Sequence, residues 1–365
     1  MICANKRVVV LVAACVAFVS SLPGDHGAAR AQTAVEKLYA DLAILPPAER
    51  QARIEAGARK EGTVVLITTT AGQRGVNHMK LFQNRYPTLK PERGELNSPE
   101  AVERFIAEES AGRHLSDGLS AGIPDMGVIV SEMQLVARYP TPATERVLPQ
   151  FRGLLDPENR WIPWFTGEHG ISYNSRLVKA EDAPKAWMDL CNPKYKGMVS
   201  FEPFENVFVS GLYAMMGEET LKRFLECIGR NDPIIQNGHT NRMTLMLAGE
   251  HAIQGDGFLF NGTMAFQKSP EKAPFKAVYE APVLLNAEGF MISKNAPNPH
   301  AVALFSDWLL SDDSQGFMFN EFRGVLTMRH PFFPDNVQLI PFGVLDKETR
   351  ERLKGYWAQY VGNRR

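Results

Sequence analysis

The chain has 365 residues, 44% of them hydrophobic and 22% charged, a globular composition long enough for two cores rather than one. Its 40 basic and 41 acidic side chains nearly cancel, so no charge excess marks a nucleic-acid or anionic-membrane partner. No low-complexity tract or internal repeat interrupts it.

Lys6 and Arg7 precede an apolar run from Val8 to Leu22, and Ala29-Arg-Ala-Gln32 places small residues where a signal peptidase reads. The pattern predicts a secretory leader over residues 1–31, cleaved after Ala31, and hence a periplasmic protein. Two alternatives are a retained anchor and lipidation at Cys15, but the apolar run continues past that cysteine. Without the leader, Cys191 and Cys227 are the remaining cysteines. In an exported chain they either pair or sit as small buried side chains.

Amphipathic helices are expected over 34–44 and 47–59, separated by Pro46-Pro47 and stopped by Gly62. Thr63–Ile67 then reads as a strand and 78–86 as a helix. The next helix opens with Ser98 as N-cap and Pro99 at its first position, burying Val102, Phe105 and Ile106. A short strand lies within 116–122, and a helix is expected from Pro124 to Tyr139. Trp161 to Val178 is an aromatic-rich extended run. Further strands fall at 197–202, 232–236 and 251–256, with helices over 206–217, 219–228 and 240–249. A helix capped by Asn298 buries Val302, Phe305, Trp308 and Leu309, and a last helix covers 346–361. Strands alternating with helices predict an α/β fold with a largely parallel sheet.

Four segments carry a family likeness. They are "GARKEGTVVLITTT" (57–70), "ESAGRHLSD" (109–117), "ISYNSRLVKAEDAPKAWMDLCNPKYKGMVSFEP" (171–203) and "EGFMISKNAPNPHAVALFSDWLLSDDSQ" (288–315). In that order they resemble the periplasmic solute-binding proteins of iron(III)-type ABC importers across residues 33–365. The resemblance implies a two-lobed type II periplasmic binding fold with a ligand cleft between the lobes. It assigns 33–150 and 260–340 to lobe 1, and 151–259 and 341–365 to lobe 2. It implies a monomer that closes on a small solute and docks on an inner-membrane ABC permease, without a cofactor, a nucleic acid or catalysis.

In this family the loop after the first strand, a helix N-terminus, the third strand's end and loops of the second lobe contact the solute. The matching positions here are Thr68, Thr69, Thr70, Asn97, Ser98 and Ser120, with Trp164, His169, Phe204, Asn206, Asp256 and Asn261. Iron-binding members hold the metal with adjacent tyrosines, whereas the matching 255–268 has none and carries Phe258 and Phe260. Glu168, His169, Glu202, His239 and Asp256 show no fixed ligand spacing, so no metal ligand is assigned. Hydroxyl and amide donors with free N–H groups at a helix start favour an anion. Trp164, Phe165, Phe204, Phe258 and Phe260 add aromatic surface, roughly half of it expected in the core. The expected solute is an organic anion such as a carboxylate or phosphonate; a ferric importer and a periplasmic sensor subunit are the alternatives. The chain contains no P-loop or dinucleotide fingerprint, and its one G-x-S-x-G match, Gly118–Gly122, lies within the segment read as a short strand rather than on a strand-to-helix turn.

Overall fold

The computed structural model describes residues 32–204, 206–329, 334 and 336–362; the leader and its cleavage point lie outside them. Helix α1 (Ala34–Ala43) starts at Thr33, whose Oγ1 accepts from the Glu36 N–H at 3.2 Å. Helix α2 (Pro47–Glu61) stops at Gly62 with φ 72°, a left-handed position that glycine adopts without strain. Strand β1 (Thr63–Thr68), helix α3 (Gly72–Arg85), strand β2 (Lys90–Glu95), helix α4 (Ser98–Ser110) and strand β3 (Gly118–Gly122) follow. Asn97, not Ser98, caps α4: its Oδ1 accepts from the Glu100 N–H at 3.0 Å, which frees the Ser98 hydroxyl for other contacts.

The long helix expected after Pro124 does not form. A 3-10 turn (Ile123–Met126) and a π turn (Val128–Glu132) replace it, broken by Gly127 and by the β-branched Val128-Ile129-Val130 run. Strand β4 (Ile162–Asn174) is buried along its whole length. Next come β5 (Val199–Phe201), α5 (Asn206–Arg230), β6 (Ile234–Ile235), α6 (His239–Ala248), β7 (Ile253–Phe258) and α7 (Leu259–Lys268). Helix α5 breaks at Gly217 (φ 73°), where the sequence separates two helices. Then follow β8 (Phe275–Ala277), β9 (Val283–Ile292), α8 (Pro299–Trp308), α9 (Asp312–Asn320), β10 (Gly324–Val325), β11 (Leu339–Pro341) and α10 (Lys347–Trp357).

The strands join in one sheet with the order β2-β1-β3-β9-β4-β7-β5-β6. It is mixed rather than largely parallel. β1 runs parallel to β2 and β3, and β5 parallel to β6 and β7, while β9 and β4 pair antiparallel with each other and with the adjoining wings. Helical crossovers make the wings parallel; the two long middle strands reverse direction because they connect one wing to the other. One hydrophobic core packs α1 to α4 and α8 around β1 and β3; a second packs α5 and α10 with Trp187 and Tyr195. β4 and β9 serve both: Phe165 and Leu285 enter the first core, Ile171 and Leu284 the second. Cys191 and Cys227 form a disulfide, with Cα atoms 5.3 Å apart, tying α5 to the 3-10 turn Trp187–Cys191.

Candidate functional site

The site is a cleft of about 770 Å³ where the sheet wings meet. Thr69, beyond the end of β1, and Asn97 and Ser98 at the start of α4 line one side with Gly122 and Asp125. Glu202, Phe204, Asn206, Asn237, His239 and Phe258 come from the other wing. Phe165 on β4, Asn286 and Glu288 on β9, and Arg323 before β10 complete the lining. Gly167 lets the Phe258 ring approach: a Cβ there would lie 2.6 Å from Phe258 Cε1.

Strand alternation decides which predicted residues reach this space. Thr68 turns inward, and its Oγ1 accepts from the Thr70 N–H at 3.2 Å; Thr70 is also buried. Thr69 alone of the three faces the cleft, and its hydroxyl donates to Glu288 Oε1. Ser120 is buried and bridges Trp164 Nε1 and Glu288 Oε1, at 3.1 Å each. Trp164 packs over His78 on the far face of β4, while its neighbour Phe165 lines the cleft. His169 and Asp256 are fully buried, His169 beneath Phe258 and Asp256 paired with Arg242. Asn261 is buried in α7, as is Phe260. Of the predicted residues, Thr69, Asn97, Ser98, Phe204 and Asn206 line the cleft; Thr68, Thr70, Ser120, Trp164, His169, Asp256 and Asn261 do not.

The start of α4 offers an anion fewer free donors than its sequence suggests. Asn97 Oδ1 takes the Glu100 N–H, Asn97 O takes the Ala101 N–H at 2.9 Å, and Pro99 has none to offer. Ser98 Oγ donates to Asp125 Oδ2 at 2.7 Å and accepts from the Gly122 N–H at 3.0 Å, so this wall is acidic. The cation is elsewhere. Arg323 lies over the Phe260 ring, with Cζ 3.8 Å from its centroid, and makes no side-chain hydrogen bond or ion pair among the described residues. Phe322 precedes it with φ 61°, a strained setting for a bulky residue.

A sequence profile of the bacterial extracellular solute-binding proteins matches residues 129–326, more than half of the chain. The chain belongs to this family. Among curated relatives, Iron uptake protein A1 of Synechocystis sp. is 24% identical over 193 residues, 48% of this chain and 51% of the relative. The match thus spans about half the length of that relative. Iron-bound HitA from Pseudomonas aeruginosa superposes with a TM-score of 0.70 at 16% identity, covering 82% of this chain and 99% of HitA. AfuA from Actinobacillus pleuropneumoniae, with fructose-6-phosphate bound, gives 0.69 at 20% identity over 83% of this chain and 99% of AfuA. The fold of this solute-binding protein is therefore the two-lobed type II periplasmic one. No helix of the described residues is long and apolar enough to cross a membrane.

No tyrosine is among the described residues lining the cleft of this solute-binding protein. Tyr213 packs on the second core, and burial pushes the Tyr279 phenol up to about 12, against phenolate formation. Glu288 is pushed up to about 7 by burial, against the opposing hydrogen bonds from Thr69 and Ser120. Burial likewise raises Glu168 to about 7, opposed by its bond from Thr166 and by Arg323. Arg323 is drawn down to about 9 by burial and then by Arg74, with Glu168 and Glu288 pulling the other way.

The two carboxyls make the unliganded fold pH-dependent. Raised from an ordinary 4.5 to about 7, each binds more protons folded than unfolded between those values. The stability each contributes is complete below 4.5 and is lost as pH rises through 7. Between pH 6 and pH 8 the loss is on the order of 1 kcal/mol per carboxyl. Thermal melts should therefore be lower at pH 8, and the Glu168→Gln/Glu288→Gln double variant should lose most of that difference. A wild-type melt that does not move between these pH values contradicts the assignment.

Three of the acceptors and the cation were not found by sequence reasoning. Asn286 and Glu288 did leave a signal, as polar residues at alternate positions in an otherwise apolar strand. Asp125 lies in a segment expected to be helical, and nothing in the local pattern marks Arg323.

Proposed function

We propose that the chain is the solute-binding component of an ABC importer, which holds a small organic anion in the cleft and delivers it to a membrane permease without covalent chemistry. The observation that carries the anion is Arg323, a cation of the cleft lining with no ion pair among the described residues. A half-buried guanidinium of this kind is matched by a planar carboxylate or a phosphate, with Phe165 and Phe258 covering an apolar or ring portion. The similarity to AfuA with its bound sugar phosphate supports the same class. Export to the periplasm and a monomeric state belong to this reading.

The lobes would close by a hinge in β4 and β9, the strands shared by both cores. The packing supports placing 259–283 with the second lobe and 151–165 with the first. A ferric importer is the second reading, favoured by the relatives named for iron.

A thermal-shift screen over carboxylates, phosphates, spermidine, citrate and iron(III)-citrate tests the proposal, since ligand at about 100 times its Kd adds about 2.7 kcal/mol. An organic anion should raise the melting temperature and reduce the radius of gyration in small-angle scattering. Iron(III)-citrate should produce no tyrosinate absorption band and no shift beyond citrate alone. A coloured, stoichiometric iron complex would replace this reading with the ferric one.

A further inference from the structure

We propose that the protein takes up a proton with its solute: the anionic group sits between Arg323 and Glu288, and Glu288 holds it as the neutral acid, donating from Oε2. This rests on the organic-anion reading and adds a residue to it. Glu288 and Arg323 line the same cleft, yet Arg323 Nε is buried without a partner and no ion pair joins the two among the described residues. Neutral groups hold the acid instead. Thr69 Oγ1 and Ser120 Oγ both donate to its Oε1, and the Ser120 oxygen in turn accepts from Trp164 Nε1. Two donors on Oε1 make that oxygen the carbonyl of the acid and leave Oε2 as the place for a proton. Oε2 takes no hydrogen bond among the described residues. Asn286, two positions earlier on the same face of β9, adds amide N–H donors whose charge does not change with pH.

The charged surroundings favour the neutral acid until a solute arrives. Burial above all keeps the proton on Glu288; the Thr69 and Ser120 bonds oppose it, Asp125 in the turn after β3 adds to it, and Arg323 opposes it. Glu168 on β4 acts on the same guanidinium, as do Arg74 on α3 and its ion-pair partner Glu321 at the end of α9. Glu100, Glu202 and His239 are the other titratable groups of the lining. Glu288 is 7% exposed, so water screens it poorly from an anion bound beside it. Ionised, it repels that anion and competes with it for Arg323. Protonated, it donates a charge-assisted hydrogen bond and leaves the guanidinium to the solute. Binding therefore raises the proton affinity of an acid that already titrates near 7. At pH 6 the acid is protonated beforehand and little proton enters. At pH 8 close to one proton enters with each anion, and affinity is about tenfold lower.

Benzoate, gluconate and sulfate stay ionised from pH 6 to pH 8, so a change in their binding belongs to the protein. Calorimetric titration of the full mature chain with each, at both pH values and at pH 8 in Tris and in triethanolamine, reads affinity and protons exchanged. At least one should bind about tenfold tighter at pH 6 and take up close to one proton at pH 8. Glu288→Gln, which donates from its amide at every pH, should bring the two affinities within about twofold and abolish the uptake. Glu168→Gln should keep both effects; circular dichroism checks that both variants fold. A wild-type difference below about threefold without proton uptake would overturn this inference and leave the organic-anion reading in place. So would a pH dependence that survives Glu288→Gln, which would assign the titration to another group such as His239. No binding of any of the three anions at millimolar concentration at pH 6 would overturn it as well, and the organic-anion reading with it where spermidine or iron(III)-citrate gives the thermal shift.

Discussion

Replacing Arg323 by methionine is expected to weaken binding of the organic anion by roughly 200- to 5,000-fold, because removing one partner of a charge pair closed off from water costs about 3–5 kcal/mol. Methionine keeps much of the side-chain volume over Phe260 but removes the charge and the donor fork. Arg323→Lys keeps a charge without the planar fork and should lose about tenfold. The unliganded protein behaves differently. Its half-buried guanidinium is already held down to about 9, mainly by desolvation, so its loss relieves that penalty at pH 6, where Glu168 and Glu288 are largely protonated. The Met variant should thus melt no lower than wild type at pH 6 while binding far more weakly. Calorimetry and thermal melts at that pH check both halves. Affinity within threefold of wild type would remove Arg323 from the site and with it the main support for an anionic solute.

Arg242→Met is expected to destabilise the fold itself, by about 3–5 kcal/mol at pH 8, because it strands two buried carboxylates. Arg242 is fully buried in α6; its Nε meets Glu202 Oε2 at 3.1 Å and its Nη1 meets Asp256 Oδ1 at 2.5 Å. The same two acids organise the backbone. Asp256 Oδ2 accepts from the Glu202 N–H at 2.8 Å, and Glu202 Oε1 accepts from the Gly238 N–H at 2.7 Å. One guanidinium therefore joins the start of α6, the end of β5 and β7, and it sets the position of Glu202 on the cleft wall. Without it the two neighbouring carboxylates repel each other with no cation between them, an effect that acid relieves. The variant should consequently be closest to wild type near pH 5 and fall behind as pH increases. Denaturant unfolding at pH 5 and pH 8 measures this. A loss below about 1 kcal/mol at pH 8 would mean that the pair of acids is solvated or otherwise satisfied.

Local chemistry determined a large part of this protein directly from sequence. The break of α5 at Gly217, the stop of α2 at Gly62 and the apolar stripe of α8 follow from glycine freedom and helical periodicity. Each depends on neighbours a few residues away. The four ordered motifs identified the family for the same reason, and the lack of tyrosine in 255–268 was visible without any coordinates. The site is another matter. Thr69 meets Glu288 across 219 positions, and Ser120 meets it across 168, contacts created by the pairing of β3 with β9. A shift of one residue in that register would turn Glu288 and Asn286 away from the cleft and bring Ala287 to it, with no change in composition or propensity. Only the tertiary structure decided that Thr69 rather than Thr68 or Thr70 faces the cleft, and that Arg323 arrives from a distant turn to line it. Long-range strand register, invisible to local periodicity, places both.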